Sequence, residues 1–294
     1  MKHQGKSSLI EAGMPLLFVL IWSTGFIVAK FGLPYAPTLT FLSLRYIGVL
    51  LVLIPSLVLL RAPWPQGSVL HIATAGVLVQ AGYLSGVWCA IKLGMPAGLA
   101  ALIVGLQPLL TGLAAGLVGE PVRLRQWLGL LLGLAGVLLV VANKLSFVGV
   151  SLQSVSLCVM ALFSITAGTL YQKRFCPQFD LRVGAAIQFS ASLLVTLPLA
   201  IVLEHLRPAF DTVQWTTPFI LSWLWSVLAL SIGAMFLYYA LIRKSAATHV
   251  SSLMYLTPPV TALIAWLLFD ESFTLTGLAG MLTAVVGVAF VVKK

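Results

Sequence analysis

The chain has 294 residues, of which 60% are hydrophobic and only 8% are charged. Soluble domains carry roughly 25% charged residues, so a water-soluble globular protein is excluded. The formal net charge of +10 suggests a nucleic-acid partner, but the basic residues stand singly or in pairs between apolar runs, leaving no stripe that tracks a phosphate backbone.

About 20 consecutive apolar residues span a bilayer as a helix. By that measure the chain predicts ten transmembrane helices, at 14–31, 38–60, 69–91, 96–118, 126–142, 150–172, 182–203, 216–241, 246–268 and 274–292. Residues 1–13 form a short tail, and no connection is long enough for a soluble domain. The first apolar run follows Lys2 and Lys6 as a signal peptide would. It ends in Ala29-Lys30 without a small-residue cleavage pattern, so it is expected to be a retained span.

Lysines and arginines orient the bundle. With the N-terminus inside, 12 of them (Lys2, Lys6, Arg61, Arg123, Arg125, Lys173, Arg174, Arg182, Arg243, Lys244, Lys293, Lys294) fall on the cytoplasmic side. Only 4 (Lys30, Lys92, Lys144, Arg207) fall outside, and Arg45 alone lies within a span. The positive-inside rule therefore puts both termini in the cytoplasm.

The chain also repeats itself. At an offset of 150, Leu106, Pro108, Thr111, Leu113, Ala115 and Leu117 fall on Leu256, Pro258, Thr261, Leu263, Ala265 and Leu267. At 151, Glu120, Leu124, Gly129 and Gly136 fall on Glu271, Leu275, Gly280 and Gly287. At 143, Leu50, Leu51 and Pro55 fall on Leu193, Leu194 and Pro198. Two units result, 14–142 and 149–292, each of five spans. An odd number makes the second enter the membrane from the opposite side. The expected fold is thus an all-α polytopic membrane protein of two inverted five-helix repeats, a recurrent transporter architecture.

Candidate functional positions follow from what a membrane tolerates badly. Pro108, preceded by Gln107, and Pro258-Pro259, preceded by Thr257, interrupt the fourth and ninth spans at matching places. Proline frees a backbone carbonyl, which needs a partner in protein or in a wet cavity; a plain packing kink is the alternative. Arg45 is either a fixed charge facing a solute path or a structural arginine snorkelling outward. Deep aromatic and hydroxyl residues include Trp22, Ser23, Thr24, Phe26, Tyr83, Trp88, Phe163, Ser164, Tyr238, Tyr239 and Tyr255, whose polar tips need partners. Trp64, Trp127, Trp215 and Trp266 sit near span ends, as an interfacial belt.

No carboxylate falls mid-span, and His249, near the cytoplasmic end of the ninth, is the nearest candidate for proton or ion coupling. There is no phosphate-binding loop, nucleophile elbow or metal-ligand cluster, and Cys89, Cys158 and Cys176 lack ligand spacing. Neither an ATP motor, a metal, a cofactor nor an enzyme is expected. The small faces Gly129-x-x-x-Gly133 with Gly136, and Gly277, Gly280 and Gly287, read as internal packing, with self-association as the alternative; a monomer suffices, and a homodimer is the other arrangement.

The pattern Trp22-Ser23-Thr24-Gly25-Phe26 with Lys30, then Arg45-Tyr46, resembles the first two spans of EamA-type carriers of the drug/metabolite transporter superfamily. Glu120-Pro121 with Gly129 and Gly136, repeated at Glu271, Gly280 and Gly287, is similar to the close of that family's five-helix domain. The resemblance implies a bacterial inner-membrane secondary transporter, often an exporter of amino acids or other small metabolites, with a cavity between the halves. Its implied lining is Trp22, Ser23, Phe26, Tyr83, Gln107, Phe163, Ser164, Tyr255 and Thr257, with Arg45 beside it. The superfamily's small multidrug branch has an acidic residue where this chain has Trp22-Ser23-Thr24, which weighs against proton/cationic-drug antiport. The sixth span lacks a tryptophan like Trp22, so an asymmetric cavity is expected. The reading from another class is a non-transporting scaffold or lipid-handling protein, whose Gln107 and Thr257 faces would pack dry.

Overall fold

The structure, a computed structural model, describes residues 4–65, 67–142, 150–176, 179–207, 210–269 and 274–292. Among the described residues it is all-α, with ten helical rods. α1 is Gln4–Ser23, continued after Thr24 by Gly25–Gly32. α2 is Thr38–Leu60. α3 covers Val69–Lys92. α4 comprises Ala97–Val104 and Gln107–Ala114, with a 3-10 turn at Ala115–Val118. α5 is Leu124–Val141, α6 Leu152–Phe175 and α7 Leu181–Leu203. α8 covers Thr217–Lys244. α9 comprises Ala247–Ser252, a 3-10 turn at Leu253–Leu256 and Thr257–Phe269, and α10 is Leu275–Val292.

Most predicted boundaries hold within a few residues, but α1 begins ten residues before its apolar run, at Gln4. Helix geometry does not need apolar residues, and nothing from Gln4 to Gly13 breaks it. Asp180 starts α7: its carboxylate accepts from the backbone N–H of Arg182 and Val183, and its two oxygens from the Arg182 guanidinium at 3.1 and 2.8 Å. The Arg182 contact holds this carboxyl below its ordinary range.

The helix pairing supports the duplicated architecture. α2 packs on α7 and α5 on α10, each pairing equivalent elements of the two units. α3 packs on α6 as α8 packs on α1, and α4 packs on α6 as α9 packs on α1. Exchanging the halves maps this set of contacts onto itself, as a two-fold relation between units entering from opposite sides requires.

The α5–α10 seam is where the glycines act. A Cβ on Gly136 would meet the Ala284 backbone nitrogen, with Ala284 Cα and the Gly280 carbonyl both at 2.7 Å. A Cβ on Gly287 would meet the Gly133 nitrogen, with the Gly129 carbonyl at 2.7 Å. Without side chains the two backbones touch directly, the source of small-residue helix association in lipid. Gly277 is not part of this contact, because only Thr274 Oγ1 lies near it. The glycine faces are therefore consumed inside one chain.

Outward faces are apolar: Leu51, Val58 and Leu59 of α2, and Leu194 and Val202 of α7, are exposed. Inside lie Gln80, Gln107, Gln172, Gln188, Thr169, Ser231 and Arg45. This inside-out polarity suits a hydrocarbon solvent, and the chain is an integral membrane protein.

Candidate functional site

Besides the interruption of α1 at Thr24, four helices depart from regular geometry, in two matched pairs. The first pair, α4 and α9, was expected from the prolines. In α4 the ladder tightens at Gly105-Leu106, where the Leu106 N–H bonds the Ile103 carbonyl at 3.1 Å, and a new segment starts with Gln107-Pro108. In α9 the 3-10 turn Leu253–Leu256 precedes a new segment starting with Thr257-Pro258-Pro259. Proline is tolerated in a first helical turn because its missing N–H would be unpaired there.

The second pair was not expected. α3 widens to a π-helix over Val77–Gly82, and α8 does so over Ser226–Ala234. Both spans read in sequence as uninterrupted apolar helices. The only trace in the chain is that Gly82 and Gly233 lie 151 apart, in register with the duplication. A π-turn misaligns local carbonyls, and side chains from other helices collect on them. Ser164 Oγ donates to the Leu78 carbonyl (2.9 Å), and Tyr46 Oη donates to that of Gln80 (3.0 Å). Within α8, Ser231 Oγ donates to the Ser226 carbonyl at 2.8 Å. Such π segments concentrate at functional sites.

Between these pairs lies an aromatic cluster drawn from both halves. The Trp22 ring stacks on Tyr83, 7° from parallel at 6.4 Å, and lies 6.3 Å from Tyr238. Phe18 closes the group 5.3 Å from Trp22. A polar chain continues from it. Thr169 spends its one hydroxyl hydrogen on the Ile165 carbonyl (2.7 Å), so its oxygen accepts from Tyr238 Oη at 2.7 Å and from Gln107 Nε2 at 3.3 Å. Gln107 is 1% exposed, and its Oε1 has no partner; Thr257 Oγ1 and Tyr255 Oη, at the other break, have none either. An unpaired buried polar atom costs about 1–3 kcal/mol, and other such atoms, among them Ser43 Oγ, Gln80 Nε2 and Gln172 Nε2, lie elsewhere in the interior.

The remaining expected positions separate. Ser23 Oγ is spent on its own helix, donating to the Val19 carbonyl at 2.6 Å. Ser164 is held on the Leu78 carbonyl, as above. Phe163 is 58% exposed and stands on the outward stripe of α6 with Leu152, Val159 and Met160, away from the cluster. The side chain of Phe26 lies outside the described residues. His249 sits at the start of α9 beside Gln126, with Nε2···Nε2 at 3.2 Å, far along the helix from the Thr257 break. Arg45, 4% exposed, donates through Nε to Ser231 Oγ at 2.6 Å rather than reaching helix-end carbonyls.

Span ends carry a feature that charge counting treated only as topology. Lys173 Nζ, at the end of α6, donates to the carbonyls of Ile242 (3.0 Å) and Ser245 (2.7 Å), which close α8. It also pairs with Glu120 Oε1 at 3.3 Å, while Glu120 Oε2 accepts from the Ala247 N–H at 2.7 Å. One ion pair thus clasps α4, α6, α8 and α9. At the start of α2, Glu204 accepts from the N–H groups of Leu39 and Thr40 and from Thr40 Oγ1 at 2.7–2.8 Å. A charge at a helix end is offset by the helix dipole, so both arrangements are stable where they lie.

Comparison with known proteins adds identity to this geometry. A solved crystal structure matching over 95% of each chain superposes with a TM-score of 0.76 at 19% identity, which establishes the fold. A relative in Salmonella typhimurium, a probable amino-acid metabolite efflux pump, is 28% identical over 93% of this chain and 92% of its own. The uncharacterized transporter YvbV of Bacillus subtilis is 30% identical over 94% and 89%. The uncharacterized inner membrane transporter YedA of Escherichia coli K12 is 24% identical over 87% and 81%. The sequence profile of the EamA-like transporter family matches residues 10–142 and again 152–293. Ten apolar rods in two matched units, broken at paired positions around a shared polar interior, accordingly belong to a member of the EamA-like transporter family, a membrane transporter of metabolites.

Proposed function

We propose that this protein is a secondary exporter of amino acids or related small metabolites in a bacterial inner membrane, with both termini in the cytoplasm. The units 14–142 and 149–292 would rock about the α4 and α9 breaks. The observation that supports this reading is the set of unpaired buried polar atoms on Gln107, Tyr255 and Thr257 at the two breaks. Dry packing of these faces, as a scaffold would need, leaves all three desolvated with nothing gained. The Trp22–Tyr83–Tyr238 rings supply apolar contact, and Gln107 Oε1 supplies an acceptor suited to an ammonium group. Alternating access would open and close the Glu120–Lys173 clasp at one end of the bundle. Because the clasp joins helices of both units, a single event frees four helix ends.

Proton/cationic-drug antiport is the less supported reading, since no carboxylate lies mid-span among the described residues. The site is assembled from one chain, so a monomer suffices.

Thiol labelling gives the direct check. In a background with Cys89, Cys158 and Cys176 replaced by serine, Gln107→Cys and Thr257→Cys should react with a membrane-impermeant reagent, and a transported amino acid should slow the reaction. Full protection of both cysteines without solute would favour the scaffold. For the clasp, Lys173→Met should raise the labelling rate at Gln107→Cys severalfold, because Glu120 and the α8 carbonyls lose their common partner; an unchanged rate would assign Lys173 to stability alone.

A further inference from the structure

One buried cation has no carboxylate partner among the described residues. Arg45 lies in the interior of α2, 4% exposed, in a chain whose outer surface faces hydrocarbon. Burial of a guanidinium costs several kcal/mol unless an anion or water compensates it. Its Nε is satisfied by Ser231 Oγ at 2.6 Å. The Ser231 hydroxyl is itself tied to the Ser226 carbonyl of the α8 π segment, so this contact fixes where the guanidinium points without neutralising it.

The described carboxylates are engaged elsewhere. Glu120 pairs with Lys173, Asp180 with Arg182 and Asp211 with Arg207, while Glu204 caps the start of α2. The duplication provides an internal control. Gln188 occupies the equivalent position of α7, at offset 143. Its amide is closed into protein on both sides, accepting from Tyr239 Oη at 2.6 Å and donating to Gln172 Oε1 at 2.8 Å. One half thus has a neutral, self-satisfied group where the other has a charged one whose Nη1 and Nη2 edge is left over. That edge presents parallel N–H donors, the geometry that matches a planar carboxylate. Through Ser231, Arg45 is tied to α8, the helix that carries Tyr238 of the aromatic cluster seven residues further on.

We propose that the Nη edge of Arg45 is the seat for a solute carboxylate, making this a carrier selective for carboxylate-bearing or zwitterionic metabolites over their neutral and cationic analogues. This deepens the transport reading and rests on it. The solute's negative charge replaces the missing counter-ion, so affinity follows from desolvation that has already occurred in the empty protein. Ser231 is the positioning residue, and the α8 π segment brings its hydroxyl to Nε.

The experiment uses the full-length protein in sealed vesicles, with counterflow of serine and phenylalanine compared with their C-terminal amides and with inorganic phosphate as competitor. Wild type should prefer each amino acid to its amide by about tenfold or more. Arg45→Gln should abolish that preference by lowering amino-acid flux while amide flux stays constant, and Arg45→Lys should restore part of it. A melting curve establishes that each variant is folded; the lysine variant retains the charge should glutamine fail to insert. Preference retained in Arg45→Gln, or equal losses for acid and amide, overturns the seat. Phosphate competing as well as the amino acids also overturns it, in favour of a general anion site. If wild type moves none of these solutes, the transport reading itself falls and takes the seat with it.

Discussion

Gly136→Val should remove the folded protein almost entirely. Its Cβ alone meets the Ala284 nitrogen, and the Ala284 Cα and Gly280 carbonyl lie 2.7 Å away. These are backbone atoms of α10, which cannot rotate aside as a side chain would. Relief needs separation of α5 and α10, the most extensive helix pair in the molecule. In lipid that pair is held by close contact and not by water exclusion, so lost contact has no substitute. The cost should reach about 3 kcal/mol or more, the upper end of core overpacking. Gly287→Val should behave alike, its Cβ falling on the Gly133 nitrogen and 2.7 Å from the Gly129 carbonyl. Gly116→Ala is the control, because nothing lies within 4 Å of its added carbon. Size-exclusion profiles and melting temperatures in detergent separate the outcomes. A monodisperse Gly136→Val with wild-type melting would show that the α5–α10 seam is not what holds the halves together.

Gln107→Leu should separate transport from stability in the opposite sense. Gln107 makes one long hydrogen bond, 3.3 Å to Thr169, and leaves Oε1 buried and unpaired. Leucine has nearly the same volume and no polar atom to desolvate, so folding should be unchanged or improved by up to about 1 kcal/mol. Thr169 keeps its bonds to Ile165 and Tyr238, so the aromatic cluster keeps its anchor. Flux should nevertheless fall about tenfold or more, since the acceptor offered to a polar solute is gone. The comparison to make is the melting temperature against initial rates in vesicles. Wild-type flux in a folded Gln107→Leu protein would remove the α4 break from the solute path. A large loss of stability would show that the amide serves the fold, against its hydrogen-bond geometry.

The architecture was largely legible because lipid imposes simple rules. Length and hydropathy located ten helices, and the 150-residue recurrence gave two units of five. Prolines revealed the α4 and α9 breaks, since a missing N–H is written in the residue name. The π segments of α3 and α8 were not legible. They involve no proline, and apolar residues such as Val77 and Val227 serve a π-turn as well as an α-turn. Phe163 shows a related limit: its depth follows from residue number, but the face it occupies depends on how α6 is rotated. Lys173 and Glu120 were placed at span ends by charge, though nothing in either residue announced that they would meet.

The sequence by itself determined the membrane class, the helix count and the duplication, because each depends on composition and interval along one chain. Only the tertiary structure decided which buried polar groups satisfy one another. It closed Ser23, Ser164 and Gln188 into protein, left Gln107 Oε1, Tyr255 Oη and Thr257 Oγ1 open, and set Arg45 against Ser231 with no carboxylate. Hydrogen bonding needs partners within about 3 Å and at favourable angles. Those partners come from helices dozens to hundreds of residues apart, so satisfaction is a property of packing and cannot be read from any local stretch.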